Sequence, residues 1–557
     1  MMYRKKNSGR STAGRNDGRR TGAIALAIGS LLATSGAAAF ELATGGGDGK
    51  VRWDNTVKYS TAFRVKDPSA GLTNDANQDD GNRNFDRGVI SSRVDLLSEF
   101  DFVYRNVGAR ISGAAWYDAA YNGSTDNPSP FTYNPDSVPN TRFARAVRDL
   151  HGRKAELLDA FLFAKGEMGD MPVSARLGRH ALVYGESLFF GNNGIANAQQ
   201  PIDVVKALSV PNTQFKELIR PVGQVSAQLQ LQSNLSVGGY YQYRWEKTRL
   251  PAAGSYFSGV DFFDAGGERI LTGPASALRR AADLKAKDAG QGGLQLRCTP
   301  DGSGVDLGLY AVRYHDKTPQ VVIQPRTGTY ALAYHENIRS YGASASTSLG
   351  DYNLAGEVSV RRNTPLVNAG STDLFGLVPP LLGGPSTPAD NADHPSYPVG
   401  NSAHAQLSVL ASMGQNVIAR EASLVGEIAW NRRTSVTRNA GALDPDASRD
   451  AWGMRLVYEP GYRQVVSGLD ISVPLGVSYF PKGKSSVVTA FGPDRGGDIS
   501  LGMNGTYLSI WSFGLNYTHY YGREDNGSRT VAGHTVYTYA QNFKDRDFIS
   551  ATVRTTF

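Results

Sequence analysis

The stretch VRWDNTVKYSTAFRVK, Val51 to Lys66, puts Val51, Trp53, Val57, Tyr59, Phe63 and Val65 on odd positions and Arg52, Asp54, Lys58, Arg64 and Lys66 on even ones. Successive side chains of a β-strand point to opposite faces, so this segment reads as a strand with one apolar and one charged face. It lasts sixteen residues, where about 5–6 is the commonest strand length. The pattern recurs. In GVISSRVDLLSEFDFVY, Val94, Leu96, Phe100, Phe102 and Tyr104 oppose Arg93, Asp95, Glu99 and Asp101. In LSVGGYYQYRWE, Leu235, Val237, Tyr241, Tyr243 and Trp245 oppose Gln242, Arg244 and Glu246. YNLAGEVSVRR sets Leu354, Val358 and Val360 against Asn353, Glu357 and Arg361, and DISLGMNGTY sets Ile499, Leu501, Met503 and Tyr507 against Asp498, Asn504 and Thr506.

Eighteen such strands are expected, near 51–66, 90–104, 108–121, 155–166, 173–182, 223–232, 235–246, 291–298, 305–316, 339–349, 352–363, 402–412, 417–433, 450–459, 468–480, 497–508, 510–522 and 547–557. The eighth, ninth and twelfth alternate weakly, so sixteen is the other count open. Short connections such as Ser233-Asn234 and Gly350-Asp351 take turns with long ones such as 122–154, 183–222 and 247–290. Short turns at one end, long loops at the other and an even strand number describe an all-β fold: a transmembrane antiparallel barrel of about 16–18 strands, lipid outside and water inside. A soluble β-sandwich would have shorter strands, and a solenoid would show a fixed repeat, which is not found. Each Arg or Lys misplaced onto mid-bilayer lipid costs about 2–4 kcal/mol, so charges kept in phase over many strands are a demanding pattern.

The ends agree. A basic head (Arg4, Lys5, Lys6, Arg10, Arg15, Arg19, Arg20), the apolar run AIALAIGSLLA and Ala37-Ala38-Ala39 read as a secretory signal peptide over 1–39, cut before Phe40. It carries seven Lys/Arg and one Asp, so the formal +7 of the whole chain becomes +1 for 40–557 (7 − 6 = 1). A nucleic-acid partner thereby loses its support. Cys298, the sole cysteine, excludes an intrachain disulfide and a cysteine zinc cluster. No run of about 18 apolar residues follows the leader, so any membrane crossing is by strands. At the C-terminus Ile549, Ala551, Val553 and Thr555 share a lipid-compatible face before the terminal aromatic Phe557. Too few residues precede the first strand for an N-terminal plug domain, which argues against an energy-coupled receptor of the plugged type.

Residues 40–557 are therefore read as one outer-membrane barrel with 183–222 as a partly helical luminal insert. Within it Pro201 opens a short helix whose Ile202, Val205 and Leu208 share a face, Pro211 ends it, and Phe215, Leu218 and Ile219 make a second turn. An apolar helical segment between barrel strands must bury its face, either in the lumen as a plug or constriction or under neighbouring loops as a lid. A second segment, PASALRRAADLKAKDAGQG at 274–292, reads as a solvated external helix. The acidic loop NDANQDDGNRNFD supplies Asp75, Asn77, Asp79, Asp80 and Asp86, oxygen ligands of the kind calcium prefers. Its sixth position is Asp80 rather than Gly, with Gly81 one step late, so it is no EF-hand and a solvated polar loop is the plainer reading. Leu374, Phe375, Leu377, Val378, Leu381 and Leu382 either line an entrance or pack the outer rim.

Arg93, Asp95, Glu99, Arg110, Arg244, Glu246, Glu357, Arg361, Glu427 and Arg455 are expected to meet in the lumen, most by pairing with one another and a few along the solute path. Catalytic motifs are missing: no G-x-S-x-G, no H-E-x-x-H, and the GKS of FPKGKSS has Ser478 where a phosphate loop needs its first Gly. No catalytic residue, metal or cofactor is assigned. His180, His335, His404 and His519 are scattered, and a barrel hydrolase that gathers Ser and His from neighbouring strands stays open as a rival.

RLGRHALVYGES at 176–187, NAQQPIDV, QFKELIRPVG, YYQYRWEKTRLPAAGSYFSGVDF, GLYAVRYHDKTP, GEVSVRRNTPL, DISVPLGVSYF and the closing DRDFISATVRTTF resemble the proteobacterial family known as domain of unknown function 1302. Val183-Tyr184 stands where many relatives have Ser-Trp. The resemblance implies a Gram-negative outer-membrane barrel working with a periplasmic lipid-carrier-like protein and an inner-membrane permease, in hydrophobic-compound metabolism. The function expected is a channel or transporter for a small hydrophobic or amphipathic solute, surrounded by outer-membrane lipid and lipopolysaccharide. A general porin for polar solutes and a barrel-embedded lipid hydrolase are the alternatives.

Overall fold

The computed structural model describes residues 40–43, 48–212, 214–415, 417–531 and 534–557; the expected signal peptide lies outside them. The barrel strands are β1 (Gly49–Arg64), β2 (Gly88–Tyr104), β3 (Val107–Asp118), β4 (Arg153–Met168), β5 (Met171–His180), β6 (Val222–Gln232), β7 (Leu235–Gln242), β8 (Gln291–Cys298) and β9 (Val305–Tyr314). They continue with β10 (Ile338–Leu349), β11 (Tyr352–Pro365), β12 (Val399–Met413), β13 (Glu421–Arg438), β14 (Asp450–Val466), the interrupted β15 (Leu469–Ser472 and Leu475–Lys482), β16 (Gly497–Tyr507), β17 (Trp511–Tyr521) and β18 (Phe548–Thr556). Each pairs antiparallel with its sequence neighbour, and β1 pairs with β18 from Thr56↔Thr556 to Arg64↔Phe548, which closes an 18-stranded barrel. Where β18 ends, Phe40–Ala43 takes over the same edge of β1, pairing Phe40↔Trp53 through Ala43↔Lys50. No edge of β1 is left for another chain to pair with.

The outer surface is the apolar phase of the strands. Trp53, Leu96, Ile111, Leu162, Val358, Ile428 and Val553 are all exposed there. So are Leu294, Leu309 and Leu407 on β8, β9 and β12; alternation is weak on β9 because Tyr310, Val312 and Tyr314 make its other phase apolar too, and on β12 because Gly400, Ser402, Ser408 and Ser412 are small. Among the described residues no helix is long and apolar enough to cross a membrane. A closed sheet satisfies every backbone group internally, the condition for crossing lipid. The protein is a β-barrel of the outer membrane.

Strand ends differ from expectation at several places, most where β7 stops at Gln242 and on β13 and β14. β13 starts at Glu421 and runs to Arg438, and β14 continues past Pro460 to Val466. Pro460 lacks an N–H but accepts one from Val473 (3.0 Å), while Pro474 accepts from Gly502 (2.8 Å). Two prolines at one level of adjacent strands thus interrupt β15 without stopping β14. The helix expected over 274–292 is not there. Arg269–Gly273 and Ser276–Arg280 form a hairpin in a five-stranded external sheet with Gln320–Gln324, Thr329–Ala333 and Ser371–Thr372. The Arg/Ala-rich composition resembles a helix, but Leu278 and Ile270 both pack on the Trp245, Tyr330, Leu332 and Tyr334 cluster, and Arg280 is drawn in by Asp283 at 2.7 Å. In the apolar loop 374–382, Leu374, Leu377, Leu381 and Leu382 are exposed, and Arg326 lies over the Phe375 ring.

Candidate functional site: a luminal constriction

His180 and Val222, the ends of β5 and β6, are register partners, so the chain leaves and re-enters the wall at one point. Between them 181–221 folds into the lumen through a neck where Asp203 N–H donates to Leu218 O (2.8 Å) and Arg220 N–H to Pro201 O (2.9 Å). Ala196, Ile202, Phe215 and Leu218 form its small core, with Val204 and Ala207 against them. The helix begins at Val204, not Pro201, because Asp203 caps it by accepting from Lys206 N–H at 3.0 Å. Its inward face is therefore Val204 and Ala207, whereas Val205 faces a cavity and Leu208 is half-buried.

Irregular backbone inside a barrel needs partners for its polar groups, and the wall supplies them by sign. Glu357 on β11 accepts the N–H groups of Glu186 (2.7 Å) and Ile195 (2.9 Å) and the Ser187 hydroxyl (3.2 Å). Glu427 on β13 accepts those of Leu188 (3.1 Å), Phe189 and Phe190 (2.8 Å). Arg361 donates to the carbonyls of Asn192, Asn193 and Gly194 at 2.8–3.0 Å. Arg455 on β14 donates to the Asn212 side chain (3.1 Å), pairs with Asp498 (3.3 Å) and lies over the Phe189 ring. Register makes these a level belt: Glu357↔Gln406, Ser408↔Glu427 and Glu427↔Arg455 are cross-strand partners. Gly342 on β10 makes room for Ile195, since a Cβ there would lie 2.7 Å from its side chain.

Four of the ten expected luminal charges thus hold the insert. Arg93 and Asp95 form an ion pair with each other (2.6 Å), joined by Lys58 at 3.5 Å. Glu99 and Arg110 pair on β2 and β3, nearer the short-turn end. Arg244 and Glu246 are not in the lumen: both follow the end of β7, where Arg244 is exposed 3.9 Å from Asp288 and Glu246 binds Arg179. The alternation that placed them inward stops at Gln242, and Trp245 turns under the external sheet. Several holders were missed. Gln406 joins Glu357 (3.0 Å), His404 binds Asn193 (3.1 Å), and Arg249 joins Asp203 (2.7 Å) to Glu156 at the neck. Gln406 and His404 are in the luminal phase of β12 and could have been read had that strand alternated more strongly.

With the insert fixed to β11–β16, a cavity of about 730 Å³ remains beside it, lined mainly by β1–β4 and β16–β18 and reaching Ser423 and Val425 of β13 and Val457 and Glu459 of β14. Lys58, Arg93, Asp95 and Glu156 line it from the wall, Lys206 and Glu217 from the insert. Trp116 and Phe189 interleave with these charges, and Arg93 lies 4.5 Å above the Trp116 ring. In the insert, burial lowers the Lys206 ammonium below its ordinary pKa, with Glu217 opposing.

The sequence profile of a protein family described as "Protein of unknown function (DUF1302)" matches residues 20–557. The chain belongs to this family. A comparison with curated proteins finds no match. Among solved structures, OccAB4 of Acinetobacter baumannii is similar at 10% identity and a TM-score of 0.41, over 91% of this chain and 98% of that one. OpdK of Pseudomonas aeruginosa with vanillate gives 10%, 0.39, 91% and 98%, and the outer membrane channel DcaP of A. baumannii gives 8%, 0.37, 93% and 100%.

Proposed function

We propose that this barrel is a passive channel for small amphipathic molecules, with 183–222 as the element that narrows it. The observation that carries the reading is the one-sided belt: carboxylates facing backbone N–H groups and guanidinium facing carbonyls pin the insert to β11–β14, leaving the opposite side open. That opening mixes ion pairs with aromatic rings, which suits a solute with both a polar and an apolar part better than a bare hydrocarbon. In the cell, outer-membrane lipid and lipopolysaccharide surround it, and a periplasmic lipid-carrier-like protein with an inner-membrane permease completes the route. The test is flux into liposomes of an aromatic or fatty carboxylate against a neutral sugar of similar mass, for wild type and a variant lacking 200–215. The carboxylate should pass faster in wild type and the deletion should raise ion conductance. A sugar preference would defeat the amphipathic reading, and unchanged conductance would defeat the constriction.

The hydrolase reading has two buried Ser–His contacts on its side: Ser226 Oγ lies 2.8 Å from His180 Nε2, and Ser402 Oγ lies 2.8 Å from His404 Nε2, whose Nδ1 lies 3.1 Å from Asn193 Oδ1. A nucleophile needs space for its substrate, whereas Ser402 and His404 are 1% and 2% exposed beneath the insert. The chain of bonds accounts for itself by orienting Asn193, whose Nδ2 donates to Trp430 O at 3.1 Å. Labelling of Ser402 by a fluorophosphonate would favour the enzyme instead.

A further inference from the structure

The acidic loop of β1–β2 does not lie open to solvent. Asp79 and Asp80 are fully buried and meet Asp261, also fully buried, from the loop between β7 and β8. One carboxylate oxygen from each of the three lies within 4.8 Å of the other two. Charge there is poorly compensated. Arg83 pairs with Asp79 at 2.5 Å, but among the described residues neither Asp80 nor Asp261 has a salt-bridge partner. Arg546, whose field reaches Asp261, gives its Nη1 to the carbonyls of Tyr256 and Ser258, both at 2.6 Å. Asp80 accepts from Asn134 N–H (3.0 Å) and Asn127 Nδ2 (3.3 Å), and Asp261 Oδ2 from Asp80 N–H (3.1 Å). The other oxygen of Asp261, Oδ1, is buried with no hydrogen-bond partner, and so is Oδ1 of the adjacent Asn134.

An ionised oxygen without a donor in a site of three carboxylates is costly unless a proton or a cation joins it. Burial, and then the facing Asp79, pushes the Asp261 carboxyl above its ordinary range, the direction expected of carboxylates crowded together out of water. The ligand set is oxygen alone, with no Cys or His in the cluster, which selects hard cations over zinc or copper. We propose that Asp79, Asp80 and Asp261 bind a divalent cation of the Ca²⁺ type that ties the β1–β2 and β7–β8 loops together at the barrel mouth. The third ligand comes from a residue 181 positions beyond Asp80, which is why the loop fails the EF-hand spacing and still forms a site.

The experiment uses the full barrel refolded into detergent without lipopolysaccharide, stripped with EDTA and titrated with Ca²⁺ by calorimetry and by thermal unfolding. One Ca²⁺ per chain is expected, with Kd about 10⁻⁴–10⁻³ M, as in extracellular modules, and a Ca²⁺-dependent rise in Tm. Asp261→Asn should weaken binding by about tenfold or more through the lost ligand charge. Asp86→Asn, in the same loop but outside the cluster, should leave it unchanged. No saturable binding by wild type up to about 10 mM, well above that range, or undiminished binding by Asp261→Asn, overturns the proposal. Should Asp261→Asn not fold, Asp80→Asn replaces it, and if neither folds the wild-type stoichiometry and Tm shift decide.

Discussion

Glu427→Gln isolates what holds the constriction. In the wild type Oε2 takes the N–H groups of Phe189 and Phe190, and Oε1 takes that of Leu188. Glutamine fills the same volume but offers one acceptor oxygen, so its amide NH₂ must face at least one of these donors. One buried charge-assisted bond is lost outright, worth about 1.5–3 kcal/mol, and the survivors lose their charge. At about 1.4 kcal/mol per tenfold, the released insert becomes about 10- to 150-fold more populated relative to the docked one. Single-channel recording in planar bilayers should show more frequent or longer openings to a larger conductance, and Glu357→Gln/Glu427→Gln should show more of both. If the double variant melts at a lower temperature yet conducts with the amplitude and noise of wild type, the insert is docked by these carboxylates but does not govern the pore, and the reasoning from belt to gate fails.

Arg249→Met should loosen the neck: it takes from Asp203 its guanidinium partner and leaves Glu156 to Arg220 and Lys154, and unpairing a buried charge costs up to about 3–5 kcal/mol, so trypsin should reach Lys206 faster than in wild type. Leu407→Arg puts a charge on the lipid face of β12, where Leu407 is 62% exposed; at mid-bilayer this costs about 2–4 kcal/mol, read as a lower urea midpoint for folding into lipid vesicles. In EDTA, the mouth should lose stability as pH rises from about 4 to about 8, because Asp80 and Asp261 hold protons in the folded state that they release when unfolded. Ca²⁺ should restore the Tm at the upper end of that window, and a Tm that instead rises with pH in EDTA would show these carboxyls to be ionised and satisfied.

The bilayer explains what could be read from sequence. A lipid face and a wet face impose a two-residue period on every crossing strand, and a violation is expensive enough that eighteen strands keep to it, including β8 and β9, where Leu294 and Leu296, and Leu307 and Leu309, carry the outer phase. Local signals also marked the insert, because Pro201, Pro211 and its apolar residues announce a compact segment that must bury itself. What the insert binds is set by closure of the barrel. Glu357 meets Ile195 across 162 residues and Glu427 meets Leu188 across 239, and neither partner contributes a side chain that a motif could display, only a backbone N–H. The phase rule could say that Glu357 and Glu427 point inward but not that backbone, rather than one another or solute, would neutralise them. The same blindness hid Asp261 from Asp80 and made 274–292 look helical, since Ser276–Arg280, beyond its hairpin with Arg269–Gly273, joins the sheet through Thr329–Ala333, two barrel strands further along the chain. Outside the bilayer no solvent boundary enforces a period. There, composition and short spacing are weak guides, and contacts between loops decide both the fold and the chemistry of the mouth.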